Sequence, residues 1–155
     1  MADYEFVTVW AVPAPVATVW EEIRQPLRWP VWWRGLLSVA ELEPGEPGGL
    51  NRLYRFVWRS PLLYRLTLDI RVCRIEPPFL LEGMVSGDLV GEGLWLLTAH
   101  KAETVVQFDW RVSGPQPWMR RLAPLARPLF RWNHNRLMAH GRQGLARQVA
   151  AGNRK

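Results

Sequence analysis

Between Tyr54 and Val112 apolar side chains recur at every second position, run after run, with no helical repeat between them. In Tyr54-Arg55-Phe56-Val57-Trp58 the even positions are aromatic. From Leu62 to Val72, the residues Tyr64, Leu66, Leu68, Ile70 and Val72 alternate with Arg65, Thr67, Asp69 and Arg71. In Thr104–Val112 the residues Val106, Phe108, Trp110 and Val112 share one parity. A period of two places one set of side chains on a buried face and the other in water, as in antiparallel strands. Phe79–Val85 and Gly93–Ala99 read as further strands. The joints are turn chemistry: Glu43-Pro44-Gly45-Glu46-Pro47-Gly48-Gly49, Ser60-Pro61, Pro77-Pro78, Ser86-Gly87-Asp88 and His100-Lys101-Ala102-Glu103.

Two other patterns frame this block. Before it, Glu5–Val12 reads as a first strand, stopped by Val12-Pro13-Ala14-Pro15. Pro15 suits the first position of a helix, and Val16, Val19, Trp20 and Ile23 follow at helical spacing up to Arg24. Pro26 and Pro30 bracket a broken helical piece, Leu27–Gly35, before a strand at Leu37–Glu43. After the block, Gly114-Pro115-Gln116-Pro117 ends the sheet. A short helix over Trp118–Ala123 is expected, with a kink or restart at Pro124 and Pro128, whose rings lack the amide a helix uses. From Pro128 to Ala150 an amphipathic helix follows. Leu129, Phe130, Asn133, His134, Leu137, Gly141, Gly144 and Leu145 fall on one half of it; Arg131, Arg136, Arg142 and Arg147 fall on the other half or its edges. Gly141 and Gly144 either leave room for a ligand or allow close packing.

The element order predicts an α+β fold, an antiparallel sheet of six or seven strands curved around one long terminal helix, with two short helices after the first strand. The helix covers only part of so large a face. Bulky side chains must fill the rest, or a cavity remains. The 155 residues fit one domain, 1–155, able to bury a core without staples. One cysteine, Cys73, excludes an intrachain disulfide, and no apolar run is long enough to span a bilayer. The opening residues lack the features of a signal peptide, so a soluble cytoplasmic protein is expected.

Candidate chemistry is sparse. Ten tryptophans are present. Trp29, Trp32 and Trp33 cluster in the broken helical piece, and consecutive Trp32-Trp33 are not expected to both point inward, which suggests a cavity rim. The expected ligand-facing set comprises Trp29 and Trp33, then Tyr54, Phe56 and Trp58. It continues with Leu66, Leu68 and Ile70, then Trp95, Phe108 and Trp110, and ends with Phe130, Asn133, His134 and Leu137. His134, Asn133 and Tyr54 are the candidates for handling a proton. Asp69 and Asp109 fall on the wet face by parity, and Asp88 in a turn, so no carboxylate pair emerges. The scattered histidines and lone cysteine predict no metal site, and the glycines at 87, 91 and 93 lack the lysine of a phosphate loop. No cofactor is implied.

Charge is uneven. From Trp110 onward there are ten Lys or Arg and no Asp or Glu, whereas all fourteen acids lie earlier. Either the acidic sheet ion-pairs with a basic helix, or the helix meets an anionic surface. The arginines do not form the dense run of a nucleic-acid arm, so nucleic acid is not an expected partner.

Three segments resemble a known group. They are Val12-Pro13-Ala14-Pro15-Val16-Ala17-Thr18-Val19-Trp20 with Arg28-Trp29-Pro30-Val31-Trp32-Trp33; Gly87-Asp88-Leu89-Val90-Gly91-Glu92-Gly93-Leu94-Trp95; and Phe130-Arg131-Trp132-Asn133-His134 with Met138 and Gly141–Ala146. The chain resembles the START-like, or SRPBCC, superfamily, which includes polyketide cyclase/dehydrase-like proteins, and the later segments look like a bacterial branch of it. The resemblance implies a helix-grip fold with a hydrophobic cavity between sheet and helix. It does not choose an activity, because members include carriers, sensors, cyclases and hydrolases. The expected function is therefore binding of a hydrophobic or aromatic small molecule, of lipid, polyketide or quinone class. The alternatives are a cyclase/dehydratase-type enzyme using the same cavity and a peripheral membrane partner. Oligomeric state is not legible.

Overall fold

The computed structural model describes residues 2–59 and 65–152. The expected Ser60-Pro61 turn, with Leu62, Leu63 and Tyr64, lies outside the described residues. Strand β1 (Tyr4–Val12) is followed by helix α1 (Val16–Ile23), a 3-10 turn (Pro26–Arg28) and the short helix α2 (Trp29–Trp32). Six strands follow: β2 (Leu36–Glu43), β3 (Leu53–Arg59), β4 (Arg65–Glu76), β5 (Leu80–Gly87), β6 (Val90–His100) and β7 (Glu103–Ser113). Helix α3 (Pro117–Gly152) closes the order. The strands form one antiparallel sheet, β1-β7-β6-β5-β4-β3-β2, so β1 crosses to pair with the last strand and β1 and β2 are the edges.

Register follows parity. Tyr54 pairs with Ile70, Phe56 with Leu68 and Trp58 with Leu66 across β3 and β4; Trp95 pairs with Phe108 across β6 and β7. These pairs put their side chains on the concave face, while Arg55 and Asp69 pair on the outer face, 2.8 Å apart. Asp88 serves its turn, accepting from the Thr67 amide at 2.7 Å. Gln107 donates to Asp109 at 3.0 Å. The corner between β1 and α1 is held by buried Thr104, whose hydroxyl donates to the Ala14 carbonyl at 2.7 Å.

Three expectations about helices change. Pro15 occupies the position before α1, with extended ψ, rather than its first turn. Leu129 is 38% exposed instead of core-facing. Finally, α3 runs unbroken through Pro124 and Pro128 for 36 residues, roughly 54 Å at about 1.5 Å per residue. The ring fixes φ at a helical value, and the cost lies in the carbonyls deprived of a donor. Here those carbonyls belong to Arg120 and Pro124, both exposed, so water can solvate them and no restart is needed.

The tryptophan cluster is buried as a whole. Trp29, Trp32 and Trp33 are 5%, 7% and 2% exposed, contrary to the expected rim. Alternation failed as a guide because the backbone changes state between them. Trp32 ends α2, whereas Trp33 is extended (φ −104°, ψ 99°), so both rings turn inward and stack at 5.5 Å. The Trp33 indole N–H donates to the Leu137 carbonyl of α3 at 2.8 Å, and Trp29 donates to the Glu22 carbonyl at 3.0 Å. Gly35, at φ +102°, then turns the chain into β2 with the Leu137 side chain pressed over it.

Gly141 and Gly144 prove to be packing glycines. A methyl at Gly141 would lie 2.6 Å from the Trp33 ring and 2.9 Å from that of Trp10. A methyl at Gly144 would overlap the Trp32 carbonyl oxygen. Their absent side chains let α3 seat directly on α2 and β1.

Candidate functional site

Between the concave sheet and the middle of α3 lies an apolar cavity of about 130 Å³. The sheet supplies most of its wall. Tyr54, Phe56 and Trp58 come from β3, Leu66, Leu68 and Ile70 from β4, Trp95 from β6, and Phe108 and Trp110 from β7. Trp29 and Trp33 close one end, and α3 contributes Phe130, Asn133, His134 and Leu137. The structure thus brings every residue of the expected ligand-facing set around one hollow. It adds Tyr4 and Phe6 from β1, Leu81, Leu89, Val112 and Met138. Tyr4 and Phe6 share the parity of Trp10 on β1, so the signal for them was present in the alternation. Met138 was not foreseen.

The wall is a network of rings. Trp95 meets Phe108 at 4.3 Å, Trp10 at 5.6 Å and Trp29 at 5.7 Å, and Trp33 meets Trp58 edge-on at 5.1 Å. Tilted and edge-on pairs each contribute about 0.5–1.5 kcal/mol beyond area burial. Small residues make the space. Gly93 on β6 pairs with Trp110 on β7, whose ring lies 3.1 Å from where a Gly93 methyl would stand.

Polar side chains on the wall are few. His134 faces Thr8 Oγ1 at 3.3 Å and stacks on Phe6 at 4.6 Å. Burial among these groups lowers its pKa from 6.5 to about 4, so the ring is neutral at pH 7. Tyr54 turns its hydroxyl to the Arg52 guanidinium, and that hydrogen bond raises the Arg52 pKa. Asn133 is half-buried, and its side chain makes no hydrogen bond among the described residues. Adjacent helical positions diverge by about 100°, so Asn133 and His134 address different parts of the wall. Among the described residues no hydrogen bond joins the His134, Asn133 and Tyr54 side chains, and no cluster of His, Cys, Asp or Glu could hold a metal. His100 is exposed at the end of β6; His140 is half-buried on α3.

The His134 environment has a consequence for stability. Between pH 6.5 and about 4 the unfolded chain takes up a proton that the folded chain refuses. Stability contributed by the neutral ring is therefore present above pH 6.5 and is lost as pH falls toward 4. Urea unfolding at pH 7 and pH 4.5 should show the wild type losing about 2–3 kcal/mol more than His134→Gln. Equal losses in the two proteins would contradict a buried neutral imidazole.

The profile of the family described as polyketide cyclase / dehydrase and lipid transport matches residues 4–149. The chain belongs to that family. Among solved structures, TTHA0849 from Thermus thermophilus superposes with a TM-score of 0.81 at 16% identity, covering 96% of this chain and 99% of the other. The ZhuI aromatase/cyclase from Streptomyces sp. R1128 superposes at 0.75 with 15% identity, covering 95% and 93%. The di-domain aromatase/cyclase StfQ, from the steffimycin biosynthetic pathway, gives 0.68 at 14% identity, over 95% of this chain and 51% of that one. At such identities the likeness establishes the helix-grip fold that the START-like resemblance implied. No curated protein matches the chain.

Proposed function

We propose that this family member binds an apolar, ring-containing small molecule in the cavity between sheet and α3, as a carrier or sequestering protein. The observation that carries the reading is the wall itself: rings and aliphatic groups, with His134, Asn133 and Glu82 its only polar side chains besides Tyr and Trp among the described residues. Size narrows the ligand. An apolar cavity of about 150 Å³ holds benzene, so about 130 Å³ accommodates one ring, or one end of a larger molecule. Burying about 200 Å² of such a ring yields about 5 kcal/mol at 25 cal/mol per Å². That corresponds to a Kd of a few hundred micromolar, so tight binding requires further contact beyond the cavity.

A second reading, an aromatase/cyclase-type enzyme, draws support from the family description and from the likeness to ZhuI. Binding is favoured over it because, among the described residues, no hydrogen bond links His134, Asn133 and Tyr54 into a proton-handling set. Titration calorimetry with naphthalene should detect binding to the wild type. Leu68→Phe, which fills the hollow, should weaken it at least tenfold. Naphthalene sulfonate should bind worse than naphthalene, since the cavity offers a neutral imidazole and no cation. Failure of naphthalene to bind, or indifference to Leu68→Phe, would overturn the cavity as the binding site.

A further inference from the structure

The first half of α3 has two apolar faces, and only one of them is used by the core. Trp118, Leu122, Leu125, Leu129 and Trp132 are 58%, 49%, 82%, 38% and 52% exposed. They stand alternately four and three residues apart, which aligns them in one stripe along the helix. The core-facing residues Ala123, Phe130 and His134 lie on the opposite side. A stripe of large apolar groups in water is costly and signals a binding surface.

The charges around it say what kind. Arg121 and Arg136 stand on the stripe's side of α3, Arg120, Arg127 and Arg131 share these turns farther round the helix, and the helix carries no acid. Among the described residues every ion pair lies within α1, the adjoining turn or the sheet, and none joins α3 to the sheet. The expected pairing of acidic sheet with basic helix is therefore not made, and the α3 arginines keep their charge for something else. Arg127 donates to the Asp3 backbone carbonyl at 3.2 Å, and Arg136 lies 5.5 Å above the Trp132 ring. A second copy of this chain fits poorly, because pairing two such stripes would bring Arg121 and Arg136 against their copies with no acid on either helix. A helix presenting Trp and Leu with Arg121 and Arg136 beside them fits an anionic lipid surface, lying in the headgroup plane with its apolar stripe inserted.

We propose that the exposed stripe of α3 docks this protein on anionic membranes. No helix among the described residues is long and apolar enough to cross a bilayer, so α3 lies on the surface. The same turns of α3 carry both faces: Leu129 and Trp132 stand in water, while Phe130 lines the cavity from the other side of the helix. The surface interaction itself does not depend on what the cavity holds.

The test is flotation of the full chain with vesicles of phosphatidylcholine alone or with phosphatidylglycerol. Partition onto the mixed vesicles should exceed that onto phosphatidylcholine at least tenfold and fall as salt rises, because exposed charges are screened. The double variant Leu125→Glu/Trp132→Glu changes only exposed side chains, and its melting curve and naphthalene binding should match the wild type. Its partition onto the mixed vesicles should drop at least tenfold. Equal partition of wild type and variant, or no binding to phosphatidylglycerol vesicles, overturns the proposal. So does a concentration-dependent dimer in sedimentation that the same variant abolishes, which would assign the stripe to a second copy. Because naphthalene binding is measured without vesicles, membrane docking and the cavity reading fail separately.

Discussion

Trp95→Ala is expected to cost about 3–5 kcal/mol of folding stability and to widen the range of ligands the cavity accepts. Trp95 is 5% exposed and its ring touches those of Trp10, Trp29, Trp33 and Phe108. Truncation removes a large buried ring and leaves a void, because its neighbours come from β1, β7 and the α2 region and cannot all collapse inward. In a chain of 155 residues that loss corresponds to a melting-temperature fall of roughly 6–20 °C, at 2–4 °C per kcal/mol. The same void is continuous with the cavity. Affinity for a three-ring hydrocarbon such as anthracene should therefore rise relative to that for naphthalene, measured by calorimetry well below the melting point. A variant as stable as the wild type would mean that Trp95 is not part of the packed wall. An unchanged ligand ratio would mean that the hollow beside it is not where ligand sits.

Gly144→Val is expected to destabilise by about 3 kcal/mol or more. The methyl groups would meet the Trp32 carbonyl, which is backbone and cannot rotate away as a side-chain end would. Either α3 lifts from α2 or the short helix deforms, and both loosen Trp32 from Trp33, which with Trp29 closes one end of the cavity. A small helix-propensity gain of valine over glycine, a few tenths of a kcal/mol, opposes this and loses. Gly152→Ala is the control, since nothing lies near that position and its melting temperature should be unchanged or slightly raised. If Gly144→Val melts with the control, close seating of α3 on α2 is wrong.

Both expectations concern contacts the sequence could not display, and the contrast with what it did display is instructive. Parity from Tyr54 to Val112 was enough to say which side chains face the hollow. Alternation is a local property of extended backbone, and every strand of the sheet is long enough to show it. Pairs such as Phe56 with Leu68 then follow from short turns between neighbouring strands. On α3 the helical period identified Phe130, His134 and Leu137 for the same reason. Local reasoning failed where conformation changes within a residue or two. Trp32 and Trp33 are both buried because helix gives way to extended chain between them. It failed again at Pro124 and Pro128, where solvent exposure of the freed carbonyls, invisible in sequence, decides whether a proline breaks a helix.

From its sequence alone, this chain determines an inward-facing apolar parity on β3, β4 and β7, one amphipathic terminal helix and an excess of arginine along it. Only the tertiary structure decided how near those surfaces come: that Gly141 and Gly144 are filled by the rings and backbone of other elements, that the hollow left over measures about 130 Å³, and that a second apolar stripe of α3 stays in water. The reason is one of range. Periodicity records which way each side chain points along its own element, whereas the spacing between elements is the joint outcome of close packing among residues far apart in the chain.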